Sequence, residues 1–267
     1  MLFLIMLFDF SIHLSEATAS SLRLAGLRTG KITTSISFYN IIALISRMSN
    51  MFQAPLLGVL VDTAVLTGNI DRLGFNFRTV IFCGALGDVL AIVLMPYSIA
   101  FFSRIILWFD ETGSVPMALL KLLRFKNLKL IYKDLSSVKF LKRFEEFDFH
   151  KIPKSFIFFN IIVVAVYTVG VMSSLFAGAH LAAYRVTATQ LSGIVNGVAT
   201  ILMAFVVDPT AALITDDALH KRRTYNNVES MVYLLLFTRV LGSLVLAQII
   251  FLPATWYIMS VTTFLHK

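Results

Sequence analysis

The apolar stretch from Ile32 to Ala64 limits what this chain can fold into more than any other part of its sequence. As a single helix it is longer than the hydrocarbon core of a bilayer, which is ~30 Å thick. Yet Arg47 lies at its middle, and Asn50 and Gln53 follow at intervals of three, so all three fall on one helix face. A charge at that depth costs at least ~2.5–3.5 kcal/mol on insertion scales, so we expect Arg47 to face a cavity or a partner.

The composition of the whole chain excludes an ordinary soluble domain. Hydrophobic residues make up 58% of the 267 positions and charged residues only 14%, with a mean hydropathy of +0.82, whereas soluble domains carry ~25% charged residues. The apolar stretches are continuous rather than alternating, which favours membrane-spanning helices over an outer-membrane barrel. The one cysteine, Cys83, excludes a disulfide framework within one chain.

We predict an all-α, polytopic membrane protein with six transmembrane helices in a single transmembrane domain, residues 1–267. The N-terminal stretch is expected to remain as the first span rather than to be a signal peptide, because Asp9, His13 and Glu16 interrupt it and no basic region precedes it. The spans are predicted at 2–24, 32–61, 80–103, 155–184, 186–213 and 230–263, with a cytoplasmic loop at 104–154.

The positive charges are distributed by membrane side. Most of the 23 lysines and arginines follow the first, third and fifth predicted spans, and few lie in the other loops. Cytoplasmic loops carry the excess of lysine and arginine in membrane proteins, so both termini are predicted on the outer side. We therefore interpret the net charge of +8 as a signal for topology and anionic lipid, not for nucleic acid.

The loop at 104–154 contains a basic amphipathic pattern, MALLKLLRFKNLKLIYKDL, from Met117 to Leu135. Its leucines recur at helical spacing, and we expect a helix on the inner leaflet, between the two halves of the protein. Such a helix could pack on the bundle with a solvated face, capture anionic lipid headgroups, or bind a partner. The side chains expected to contact headgroups are Lys121, Arg124, Lys129 and Lys133.

Three predicted spans precede this loop and three follow it, so the two halves would have opposite orientations. Pro55 and Pro209 each precede an aspartate, Asp62 and Asp216, by seven residues, and each pair lies late in the second span of its half. We interpret this as a 3+3 inverted repeat with a proline-interrupted helix in each half, which in transporters points to a site near the midplane. Chance similarity is the alternative.

Several ionisable side chains lie inside or near the predicted spans, where they are costly unless they have partners or a function. We expect Arg47 and Arg239 to face a shared hydrophilic cavity and to bind an anionic group, because the guanidinium fork fits phosphate. Mutual charge pairing in a closed bundle is the alternative, above all for Glu16 and Asp88. The residues expected to couple transport to protons or to pair with the arginines are Glu16, Asp88, His13, His180, Asp62 and Asp208.

The segments that carry a family resemblance are LRLAGLRTGKI at 22–32 and SFYNIIALISRMSNMFQAPLLGVLVD at 37–62. They resemble the Amj family. The resemblance implies a six-span protein of the bacterial inner (cytoplasmic) membrane that flips lipid II, the undecaprenyl-diphosphate-linked peptidoglycan precursor, to the outer leaflet for cell wall biogenesis and cell shape. It assigns no site residues. The residues expected to bind lipid II are Arg47, Asn50, Gln53 and Arg239.

Other functions stay open from the residues alone. A secondary transporter of a small anion fits them equally well, and an intramembrane enzyme acting on polyprenyl-phosphate lipids or a scaffold of the cell-wall machinery are further alternatives. The motifs H-E-x-x-H, G-x-S-x-G and Walker A do not occur, and the histidines lack metal-ligand spacing. We therefore predict no catalytic residue, no metal and no cofactor, with lipid II and membrane lipids as the partners.

Overall fold

The computed structural model describes residues 1–136, 147–149 and 152–267, apart from the side chain of Arg47. Six helices or runs of helices in these residues are long and apolar enough to cross a membrane, which confirms the predicted all-α, six-span fold. The protein is a multi-pass membrane protein. Its spans, numbered 1 to 6 in chain order, are Leu2–Thr29, Ile32–Leu66, Ile70–Thr112, Lys154–His180, Ala182–Leu219 and Tyr225–Leu265.

Three of the spans are composite. Span 1 joins the helices Leu2–Ala19 and Ser21–Thr29. Span 5 consists of a 3-10 turn and two α-helices separated by a π-turn, at Ala182–Tyr184, Arg185–Leu202, Met203–Val207 and Asp208–Leu219. Span 6 likewise has a π-turn between two α-helices, at Tyr225–Val240, Leu241–Leu246 and Ala247–Leu265. Single π-turns of this kind occur frequently at functional sites.

Pro55 does not interrupt span 2, so that part of the prediction is wrong. The helix continues from Ile32 to Leu66, because one proline removes a single backbone hydrogen bond and membrane helices tolerate this loss. In span 5, by contrast, a π-turn at Met203–Val207 ends two residues before Pro209. An irregularity next to the proline is therefore present in the second half only, and the inverted repeat stays a prediction.

The predicted amphipathic helix is divided into two. A short helix at Val115–Leu120 runs into a 3-10 turn, and a second helix, called the loop helix below, covers Phe125–Ser136. Between them Arg124 has an extended backbone, and the side-chain amide of Asn127 donates to the carbonyl oxygen of Lys121 at 2.9 Å. A side-chain donor thus satisfies a carbonyl at the end of the first helical segment, where the chain changes direction.

Spans 1 and 3 cross in close contact at Gly84 and Gly87. A Cβ added at Gly87 would lie 2.5 Å from the carbonyl oxygen of Phe10, and one at Gly84 would overlap Oδ2 of Asp9. Glycine is therefore required at this crossing, as small residues commonly are where membrane helices approach closely. The contact places the face of span 1 that carries Asp9 and His13 directly on span 3.

Two buried apolar layers lie above and below a polar one. Each apolar layer takes residues from spans 1, 3 and 6: Ile5, Ile81 and Ala247 belong to one, and Ala17, Ala91 and Leu236 to the other. Between these positions in all three spans lie ionisable or hydroxyl side chains. We call this set the polar cluster; its members are Asp9, His13, Glu16, Asp88, Arg239 and Ser243.

Candidate functional site

Span 1 carries a row of ionisable side chains along one helix face. Asp9, His13 and Glu16 are separated by four and three residues, and Arg23 continues the row two turns later. Asp9 and His13 are buried, whereas the side chain of Glu16 is 34% exposed. The row therefore leads from the buried middle of the bundle toward more accessible groups at the end of the span.

Asp88 lies at the centre of the polar cluster and is completely buried. Its Oδ1 accepts a hydrogen bond from Nε of Arg239 at 2.6 Å. Its Oδ2 accepts one from Oγ of Ser243 at 2.7 Å and lies 2.9 Å from Nδ1 of His13. Both carboxylate oxygens therefore have partners, which is the condition for keeping a charge in a low-dielectric interior.

Arg239 joins two carboxylates from the other half of the chain. Besides the bond from Nε to Asp88, its Nη2 donates to Oε2 of Glu16 at 2.8 Å. The structure therefore contains the charge pairing that the sequence left open as an alternative for Glu16 and Asp88. The π-turn that follows Val240 brings Ser243 to Asp88 as well, and Oγ of Ser243 also lies 3.0 Å from the carbonyl oxygen of Arg239.

Asp9 is a member of the site that sequence reasoning missed. The side chain is buried, its Oδ1 accepts a 3.4 Å hydrogen bond from Gln53, and its Oδ2 has no hydrogen-bond partner among the described residues. Gln53 also donates to the carbonyl oxygen of Ile5 at 3.1 Å, so this predicted substrate contact is directed at span 1. The spacing of four residues between Asp9 and His13 could have indicated that both side chains lie on the same face of the span 1 helix.

A second polar group lies near the end of the same row. Nη2 of Arg23 donates to Oδ1 of Asp208 at 3.2 Å, and the guanidinium lies 5.6 Å from the ring centre of Tyr39. The Asp208 side chain is 43% exposed. Spans 1, 2 and 5 thus meet here, and Arg23 was another residue that the sequence did not single out.

Other predicted site residues lie away from the polar cluster. Asp62 pairs with Arg185 at 2.6 Å, between the ends of spans 2 and 5. His180 has Nδ1 2.9 Å from the carbonyl oxygen of Phe176, one turn earlier in its own helix. Asn50 is exposed, and the side chain of Arg47 lies outside the described part of the structure. The cavity shared by Arg47 and Arg239 therefore stays a prediction.

The basic residues of the polar loop also differ in their surroundings. Lys121 pairs with Glu111 at 2.5 Å. Arg124, Lys129 and Lys133 are exposed. Large apolar side chains of the same region, including Phe125 and Tyr132, are exposed too, as expected of a helix that lies at a membrane surface. Contact with lipid headgroups stays a prediction for these residues.

Comparison with known proteins decides which family has this architecture. The model of the Amj family, described as "Alternate to MurJ", matches residues 8–262. The chain belongs to the Amj family. A curated member, Lipid II flippase Amj of Bacillus subtilis (strain 168), is 37% identical over 251 residues, which is 92% of this chain and 91% of the relative. No solved structure matches.

Membership of the Amj family confirms the resemblance seen in the two N-terminal segments. The match extends far beyond them, from the first span to the last. The polar cluster draws its members from spans 1, 3 and 6 and lies within the matched residues. Among the described residues, no group of three or more histidine, cysteine, aspartate or glutamate side chains has the arrangement of a metal site.

Proposed function

We propose that this Amj-family protein is a flippase that moves lipid II from the inner to the outer leaflet of the bacterial cytoplasmic membrane. The observation that carries the proposal is the 37% identity, over 92% of the chain, to a protein named as a lipid II flippase. The six spans and the charged groups buried between two apolar layers support it, since intramembrane charges usually serve transport or ion pathways.

The headgroup of such a lipid sets the physical requirement. Its diphosphate is charged, while its polyprenyl tail can stay in the hydrocarbon, so the protein must offer positive charge and hydrogen-bond donors to the head alone. Arg239, whose side chain is 16% exposed, is a guanidinium suited to this role, but Glu16 and Asp88 hold it in the described arrangement. In the proposed cycle the diphosphate replaces Glu16, the more exposed of the two carboxylates, on Arg239.

Protons are the proposed means of controlling that exchange. The polar cluster contains three carboxyl groups but only one guanidinium and one imidazole. A proton taken up by Glu16 would remove its charge and free Nη2 of Arg239. His13, which lies 2.9 Å from Asp88, is the second group proposed to couple the cycle to protons. Arg47 and Asn50, on the adjacent span, are proposed to contribute further contacts to the phosphate and sugar groups.

The direct test measures lipid II at the outer leaflet of cells in which this protein is the sole lipid II flippase. We expect exposed lipid II with the native chain and at least a tenfold loss with Arg239→Gln, because the glutamine side chain has no charge for the diphosphate. Asp62→Asn is the matched control, because Asp62 forms an ion pair outside the polar cluster. Membrane levels of all variants are compared by immunoblot, and a well-expressed native chain that exposes no lipid II would refute the proposal.

A further inference from the structure

A cavity of about 280 Å³ lies between the end of span 1, the last turns of span 3 and the loop helix. It is distinct from the polar cluster, whose residues do not line it. Span 1 contributes Arg28 and Thr29, and the loop helix contributes Asp134. The residues from span 3 are Ala100, Ser103, Arg104 and Leu107.

The charge of this cavity is positive. Arg104 donates from Nε and Nη2 to the two carboxylate oxygens of Asp134, at 2.7 and 2.9 Å. Arg28 is exposed and forms no ion pair with any residue that the structure describes, whereas the carboxylate of Asp134 is held by Arg104. Two guanidiniums and one carboxylate thus line the same open space, and such a concave basic site attracts anions.

Arg104 holds Asp134 in a bidentate geometry that arginine also uses to bind phosphate. Two parallel N–H···O bonds from one guanidinium fork are the arrangement that arginine uses for both carboxylates and phosphates. Asp134 therefore occupies the position that a phosphate group would take on Arg104. A phosphate bound there would also lie beside Arg28 and would gain a second cation that the carboxylate does not use.

The position of the cavity favours a lipid as the source of that phosphate. Arg104 lies eight residues before the end of span 3 at Thr112, about 12 Å along the helix axis, and Leu107 beside it is exposed. The loop helix that supplies Asp134 also exposes apolar side chains, including Phe125. With about 280 Å³, the cavity is near the lower limit of ~300 Å³ for small-molecule sites and suits phosphate groups rather than a complete sugar–peptide head.

We propose that this cavity, with Arg28 and Arg104, binds the diphosphate of a polyprenyl lipid, and that the bound diphosphate replaces Asp134. The identification of that lipid with the transported substrate rests on the proposed function. Replacement breaks the ion pair between span 3 and the loop helix, so loading of the cavity loosens the contact of that helix with the bundle. Asp134 is then an internal competitor, and its removal strengthens binding.

The test measures the affinity of the purified full-length chain for farnesyl diphosphate, a short polyprenyl diphosphate, in detergent micelles. We expect Arg28→Gln to weaken binding at least tenfold and Asp134→Asn to strengthen it about threefold or more. The matched controls are Lys31→Gln and Asp110→Asn, which remove an exposed ion pair of 2.9 Å from the same ends of spans 1 and 3 outside the cavity. Both controls should bind within about twofold of the native chain.

Three further measurements separate the sources of phosphate and the two proposals. If inorganic diphosphate binds as tightly as farnesyl diphosphate, the assignment to a polyprenyl diphosphate is wrong. The assignment is also wrong if Arg28→Gln and the native chain bind farnesyl diphosphate with the same affinity once both are in phosphatidylglycerol nanodiscs. Equal affinity of Arg28→Gln and the native chain, or weaker binding by Asp134→Asn, would overturn the site itself, whatever lipid II exposure shows. Conversely, absence of lipid II exposure by the native chain refutes the proposed function and leaves measured binding at this site intact.

Discussion

At the level of single residues, burial decides which ion pairs matter for stability. Asp88 is 0% exposed and holds Arg239, Ser243 and His13 together, whereas Asp62 is 61% exposed and forms an ion pair with Arg185. Removing one partner of a buried pair leaves an uncompensated charge in a medium that solvates it poorly, while an exposed pair is replaced by contacts with solvent or headgroups.

Asp88→Asn is therefore expected to destabilise the protein by ~3–5 kcal/mol, because Arg239 loses its shortest carboxylate contact at a buried position. The same change at Asp62 is expected to cost no more than ~1 kcal/mol. Unfolding of both variants by heat and by denaturing detergent, in the same micelles, checks the difference. Equal destabilisation by Asp88→Asn and Asp62→Asn would show that the polar cluster does not hold the bundle together.

At the level of helices, the crossing of spans 1 and 3 depends on the absence of side chains. Gly87 approaches the backbone of Phe10, which cannot move without displacing the whole of span 1. Gly58 in span 2 offers a comparison, since a Cβ added there meets nothing within 4 Å. Both glycines lie inside helices, so an alanine at either position gains the same helix propensity.

Gly87→Ala is expected to destabilise the protein by ~1–3 kcal/mol, because the added methyl group forces spans 1 and 3 apart. Gly58→Ala is expected to be neutral or to stabilise by up to ~1 kcal/mol. Thermal unfolding of the two variants measures both effects. A Gly87→Ala protein as stable as Gly58→Ala would mean that the helices can separate at this crossing without cost.

The helices themselves were largely predictable, but their pairing was not. Runs of about 20 apolar residues indicate spans because a bilayer demands that length, and all six were found. The predicted interruption at Pro55 was wrong, because a proline removes only one backbone hydrogen bond and a membrane helix tolerates that loss. The contact of Asp88 with Arg239 joins positions 151 residues apart, and only the packing of spans 3 and 6 brings them together.

At the level of the whole molecule, contacts near the ends of the spans show which ends lie on the same face. Lys31 pairs with Asp110, so the ends of spans 1 and 3 meet on one face. On the other, Asp62 near the end of span 2 pairs with Arg185 near the start of span 5, and the ring of His266 stacks on Tyr184. Both chain termini therefore lie on the same face, as an even number of spans requires.

The distribution of lysine and arginine predicts the orientation, and it can be tested without any transport assay. The face that holds Lys31, the loop helix and the basic run at 221–223 is the more positive one, so it is expected in the cytoplasm.

Alkaline phosphatase fused after Lys267 should then be active, because this enzyme folds only outside the cytoplasm, and a green fluorescent protein at the same position should be dark. The same pair of reporters inserted after Ser136, beyond the loop helix, should give the opposite result. Fluorescence at Lys267 with phosphatase activity at Ser136 would invert the protein in the membrane and would place the cavity of Arg28 and Arg104 at the outer leaflet, where it could release a lipid diphosphate but could not load one.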